Sequence, residues 1–181
     1  MRSAAALGLT SITIPSSVIS IGGRAFYGCA GLQSIEVDIG NPEYSSAAGV
    51  LFNTARTILI QYPVGKVGNY TIPSGVISIG DGSLSGCTGL ASITIPSSVT
   101  GIGDYAFYGC AGLASVTLPS SVTTLGDYAF SGCSGLKSVT IPVGVSGIGW
   151  YAFSGCTGLT TIPSSVPLDA LSRFLRLTVG K

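Results

Sequence analysis

The chain has 181 residues, of which only 8% are charged, and its formal net charge is +1. So weak a field disfavours nucleic acid and anionic membrane surfaces as partners. Histidine is absent, which removes the commonest general base and the commonest metal ligand together, so neither an enzyme nor a cofactor is expected.

At the N-terminus Arg2 precedes a short apolar run that stops too early for a secretory leader, and no signal peptide is expected there. Further along, Ser, Thr, Gly and Pro interrupt every apolar run short of the roughly 18 residues that mark a membrane span, so membrane insertion is not expected either. The dominant signal is repetition. Of five cysteines, Cys87, Cys110, Cys133 and Cys156 follow one another at 23-residue steps, with Cys29 upstream. Pro73, Pro96, Pro119 and Pro142 keep the same beat, as do Ala106-Phe107, Ala129-Phe130 and Ala152-Phe153. This periodicity predicts one elongated solenoid over 1–181, each unit contacting only its neighbours. The units are 9–31, a 35-residue unit 32–66, a divergent unit 67–89, then 90–112, 113–135 and 136–158, and a truncated unit 159–181.

Within a unit the first six positions alternate, as in Leu113-Ala114-Ser115-Val116-Thr117-Leu118, which predicts a half-buried strand with Ser115 and Thr117 outward. Proline ends it. Val122 and Leu125 then mark a second side, and Gly126 suits a sharp corner. Asp127-Tyr128-Ala129-Phe130-Ser131-Gly132-Cys133 reads as a helical turn with Asp as N-cap and Gly closing it. One strand per unit would stack at about 4.8 Å into a parallel sheet. About eight inward apolar side chains per unit give a sufficient core. In the long unit, Val50-Leu51-Phe52 and Thr57-Ile58-Leu59-Ile60 flank Asn53-Thr54-Ala55-Arg56 and predict a hairpin projecting from the coil. At the end, Asp169 to Arg176 reads either as a short amphipathic helix capping the stack or as a disordered tail.

The shared pattern L-x-x-I-x-I-P-x-x-V-x-x-I-G-x-x-A-F-x-x-C resembles the BspA-type leucine-rich repeat, and the 35-residue unit resembles a variant of it. The resemblance runs from Leu9 through Gly158. It implies a leucine-rich repeat coil with one short parallel strand per turn on the concave face and short helical turns or irregular segments elsewhere. It also implies a cell-surface or secreted adhesion or host-interaction protein.

Several columns of side chains invite chemistry. The cysteines stack within bridging distance, yet no histidine or Cys-x-x-Cys spacing supports a metal, and buried free thiols are the expectation. Asp81, Asp104 and Asp127 form a carboxylate column that capping explains better than calcium. Tyr105, Tyr128 and Tyr151 repeat at 23 residues and predict a stacked structural column, whereas Trp150 has no counterpart and is the best binding anchor on that side. The outward strand face is a ladder of hydroxyls, of which Ser92, Thr94, Ser115, Thr117, Ser138 and Thr140 are the candidate binding residues. Nucleophilic catalysis by these serines lacks a base. The expected role is therefore a non-enzymatic module that binds a protein or glycan through this face, with a structural spacer in a longer surface protein as the alternative. End-to-end self-association through the open ends of the stack is a further expectation.

Overall fold

A computed structural model of the chain describes residues 8–23 and 25–160. The expected terminal cap or tail at 159–181 therefore lies, beyond Thr160, outside the described residues. The described chain winds as a solenoid of stacked coils, numbered here 1 (9–31), 2 (32–66), 3 (67–89), 4 (90–112), 5 (113–135) and 6 (136–158).

Each coil opens with a strand on a first side: β1 (Ser11–Ile14) in coil 1 and β2 (Ser34–Val37) in coil 2. Coil 2 then adds β3 (Tyr44–Ala47), β4 (Val50–Asn53) and β5 (Ile58–Gln61). Coil 3 holds β6 (Gly68–Thr71) and β7 (Ser78–Ile79), and coil 4 holds β8 (Leu90–Thr94) and β9 (Gly101–Ile102). The last two coils hold β10 (Ser115–Thr117) with β11 (Thr124–Leu125), and β12 (Ser138–Thr140) with β13 (Gly147–Ile148). On the first side β1 pairs with β2, β6 with β8 and β10 with β12, all parallel. The Ala114 amide donates to the Ala91 carbonyl between β8 and β10.

The expectation of one strand per unit is incomplete. A second parallel ladder runs β5-β7-β9-β11-β13, because the turn after each proline re-extends the chain. That turn is a single i to i+3 bond, Val99 N to Pro96 O and likewise at Val76, Val122 and Val145. Proline, having no N–H, ends the first ladder where the turn begins.

The expected helical turn is absent among the described residues, and its backbone shows why. Tyr105, Tyr128 and Tyr151 sit at φ of 57°, 56° and 56°, a left-handed conformation that no helix continues through. Alternate amides instead point along the solenoid. Tyr105 N donates to Asp127 O, Phe107 N to Ala129 O and Gly109 N to Ser131 O, each in the next coil, at 2.7–2.8 Å. The amides between them close local turns, such as Tyr108 N to Tyr105 O and Cys110 N to Phe107 O.

The glycine before each Asp is also used differently from a bare corner residue. Gly103 and Gly126 do not have positive φ; a Cβ would stand 2.8 Å from Asp81 N at the first and 2.5 Å from Asp104 N at the second. Close approach of successive coils, not backbone freedom, excludes a side chain there.

The core matches the expected inward positions. Coil 5 buries Leu113, Val116, Leu118, Val122, Leu125, Ala129, Phe130 and Cys133. Phe107, Phe130 and Phe153 stack nearly parallel at 4.8 and 5.3 Å between centroids. The column continues downward through Leu84 to Tyr62, whose amide donates to Ser83 O as Leu84 N does to Ala106 O. Ser83, which replaces the alanine of the other units, is fully buried, and its hydroxyl has no hydrogen-bond partner among the described residues.

Coil 2 departs from the expected projecting hairpin. The β4–β5 pair is antiparallel as read, but Val50, Leu51, Phe52 and Leu59 are wholly buried and β5 continues the second ladder into β7. A further hairpin, β3–β4, turns on Ala48 and Gly49 at φ of 51° and 77°. Positive φ at both central residues is the type I′ geometry, which Ala-Gly signals more weakly than Asn-Gly. Asn41 ties this coil to coil 1: its Nδ2 donates to Pro15 O and Val18 O, and its Oδ1 accepts from Glu43 N and Tyr44 N.

Candidate binding surface

Alternation along each first-side strand dictates what solvent meets. In β8, Leu90 and Ile93 turn inward while Ser92 and Thr94 are exposed, and the parallel register carries the pattern from coil to coil. Thr71 lies beside Thr94, Asn69 beside Ser92, Ser115 beside Ser138 and Thr117 beside Thr140. Ser115, Thr117, Ser138 and Thr140 are likewise exposed. The six hydroxyl residues expected to bind thus fall in two rows on one face, extended by Asn69 and Thr71. Ser92 Oγ donates to Asn69 Oδ1 at 2.8 Å, a hydrogen bond between coils along the row.

The rows do not run the whole length. Beside β2, the Ile35 amide donates to Gly49 O and the Val37 amide to Ser46 Oγ, so the β3–β4 hairpin occupies the place where the next strand would pair. Charge gathers here: Glu36 accepts from Ser34 and Ser46, Arg56 donates to Ser46 O and Lys66 to Ala48 O. Ser11 and Thr13 of coil 1 are separated by this insertion from the uncharged rows of coils 3 to 6.

Trp150 is not brought to that face. It follows β13, takes the place that Asp holds in coils 3 to 5, and is half exposed. Its amide donates to Asp127 Oδ1, and its carbonyl accepts from Tyr128 N. Beside it, Tyr105, Tyr128 and Tyr151 form the expected stack, with centroids 4.9 and 5.1 Å apart.

The Asp column caps, but between coils. Asp81 Oδ1 accepts from Asp104 N at 2.9 Å and Asp104 Oδ1 from Asp127 N at 2.7 Å, so each carboxylate holds the corner of the coil above rather than its own turn. The signal for this in the sequence is the 23-residue spacing of Asp directly after a glycine.

The thiols behave as a structural column. Cys110, Cys133 and Cys156 donate to the carbonyls of Leu84, Phe107 and Phe130, each 26 residues back, at 3.0–3.1 Å. Cys87 makes the longer contact to Tyr62 O. Burial pushes the Cys87 thiol up to about 12. Hydrogen bonding to Cys110, then burial, raises Cys133, and hydrogen bonding to Cys133, then burial, raises Cys156. Raised in this way, the Cys87, Cys133 and Cys156 thiols stay protonated near neutral pH.

The pattern of the family described as BspA type leucine rich repeat region matches in six copies, over residues 4–53 and 62–172. The chain is similar to a leucine-rich repeat protein of Eubacterium ventriosum, with 36% identity and a TM-score of 0.78 over 83% of this chain and 41% of that one. It is similar also to a leucine rich cell surface protein of Faecalibacterium prausnitzii, with 30% identity and a TM-score of 0.67 over 92% of this chain and 50% of that one. The pneumococcal vaccine antigen PcpA is 27% identical, with a TM-score of 0.62 over 78% of this chain and 42% of that one. The chain therefore spans no more than half the length of these three structures. No curated protein matches it.

Proposed function

The chain belongs to the BspA-type leucine-rich repeat family, and from that premise we propose that it is a non-enzymatic binding module of a surface or secreted protein, engaging a protein or neutral glycan through the first-side strand face of coils 3 to 6. The observation that carries this reading is the pair of uncharged hydroxyl and amide rows held in register on four successive coils. Four strands at about 4.8 Å make a rigid strip roughly 15 Å long. Its small side chains lose little rotamer freedom when covered. An uncharged hydroxyl row hydrogen-bonds a neutral partner without the desolvation cost that buried charges bring. The similar protein named as a cell surface protein supports display outside the cell. A second reading, a spacer within a longer protein, draws support from the chain spanning 41–50% of its structural neighbours.

Biolayer interferometry against extracellular-matrix proteins and neutral glycans tests the proposal. Saturable binding is expected for the wild-type chain. It should be lost in Thr94→Arg/Thr117→Arg/Thr140→Arg while the circular dichroism spectrum is unchanged. Binding untouched by three arginines on the strip would remove the face from consideration, and no binding to any ligand would favour the spacer.

A further inference from the structure

The tyrosine stack ends abruptly, and the reason for its ending creates a cavity. Below Tyr105 the equivalent corner position is Gly82, whose φ of 63° is the same left-handed conformation that Tyr105, Tyr128 and Tyr151 adopt. The backbone for a fourth tyrosine is in place without its ring, and a Cβ built on Gly82 would meet no atom of the described residues within 4 Å. One coil further down, the corner is two residues shorter. Leu59 O accepts from Gly80 N as Ile79 O accepts from Gly103 N, yet Tyr62 follows Leu59 by three residues where Leu84 follows Ile79 by five. The positions that would carry Asp and a ring are missing from coil 2.

Two successive omissions leave a cavity of about 550 Å³, within the range of about 300–1,000 Å³ that small-molecule sites occupy. Tyr105 and Tyr108 line it from coil 4, Phe26 and Tyr27 from coil 1, and Ile60 and Gln61 from coil 2. Asp81 and Asp104 add carboxylates, and no Lys or Arg lines it among the described residues. Asp81 uses Oδ1 on the Asp104 amide and Asp104 uses Oδ1 on the Asp127 amide, so each retains Oδ2 as a further acceptor.

We propose that this cavity binds one pyranose ring of a neutral glycan, seated in the vacant step of the tyrosine ladder. The step height sets the shape: rings in the ladder repeat at 4.9–5.1 Å, room for one more ring laid flat. The walls set the chemistry. A pyranose offers an apolar C–H face to an aromatic ring and a rim of hydroxyl donors, which carboxylates accept more strongly than neutral oxygens do. The two carboxylates among the described lining residues disfavour sialylated or sulfated sugars. This site is distinct from the strand face and does not depend on it.

Saturation-transfer NMR of the full chain with methyl glycosides of neutral hexoses and N-acetylhexosamines tests the assignment, with tyrosinamide and choline as competing probes. Transfer from protein to the ring C–H protons of at least one glycoside is expected. Gly82→Tyr extends the ladder into the cavity in a conformation the chain already uses three times, and should abolish the signal. Tyr105→Leu removes the stacking face and should weaken binding about tenfold or more, and it reads the same question should Gly82→Tyr not fold. Thr94→Arg/Thr117→Arg identifies the source of the signal: a signal lost in that variant and retained in Gly82→Tyr comes from the strand face and would overturn the cavity assignment. No glycoside binding, binding that survives both cavity variants, or binding of tyrosinamide or choline alone would overturn the proposal.

Discussion

Coils 3 to 6 and coil 2 are wound on the same axis from related sequence, yet they do opposite things with it. In these 23-residue coils alternate corner amides, the Asp carboxylates and the thiols all bond to the adjacent coil. The result is columns of Phe and Tyr over coils 4 to 6, of Asp over coils 3 to 5 and of Cys over coils 3 to 6. The 35-residue coil continues the core column at Tyr62 but lacks the Asp, the corner tyrosine and the cysteine. Gly65 stands where a cysteine would, three residues after Tyr62, and a Cβ there would lie 2.5 Å from Ala30 O. Regular coils build extended surfaces, while the irregular coil interrupts them and, together with the ring missing at Gly82 of coil 3, opens the gap in the tyrosine ladder.

The sharpest way to break the regular half is to cut its aromatic column. Phe130→Ala removes the middle ring of three and should cost about 3–5 kcal/mol, read as a fall in the chemical denaturation midpoint. Next comes the tether of the irregular half: Asn41→Ala orphans two carbonyls of coil 1 and two amides of its own loop, for a loss of about 2–3 kcal/mol. A loss under about 0.5 kcal/mol would show that coil 2 does not rely on coil 1.

Alkaline pH probes the thiol column, which belongs to the regular coils. The folded values of Cys87, Cys133 and Cys156 are raised above the ordinary 9.0, so above pH 9 the unfolded chain releases protons that the folded chain keeps. Stability should be level below about pH 8 and fall from pH 9 upward, at about 1.4 kcal/mol per pH unit for each such thiol. Replacing the three with Ala should flatten that slope between pH 9 and 10, above which Tyr62 and Tyr70, also raised by burial, add their own loss. The smallest effect sharpens the boundary between the halves. Ser83→Ala restores the residue of the regular units and removes the orphaned buried hydroxyl, and it should stabilise the chain by about 1 kcal/mol.

Much of the regular half was legible because it is written within single units. The alternation at Leu113 to Leu118 gives the strand and its outward hydroxyls, and the burial of the cysteine column follows from its 23-residue spacing. What escaped was written between units. Gly126 looks like a corner glycine until the Asp104 backbone is seen against it, and Asp104 looks like the cap of its own turn until its partner proves to be the next coil. The positive φ of Tyr128, which replaces a helical turn by amides that point along the solenoid to the next coil, has no signature in a residue type that ordinarily avoids that region. The cavity follows from a ring missing at Gly82 and a corner shortened in coil 2. Neither departs from the repeat in a way that looks functional until the coils are stacked.

The comparison of regular and irregular coils is tested most directly by one paired affinity measurement, Thr117→Arg against Thr13→Arg, each titrated with the same matrix-protein or glycan ligand. Both threonines are exposed on first-side strands, one on the uninterrupted strip and one beyond the insertion. Loss of binding in Thr117→Arg with wild-type affinity in Thr13→Arg is the predicted result. Equal losses in both, or a loss confined to Thr13→Arg, would contradict it.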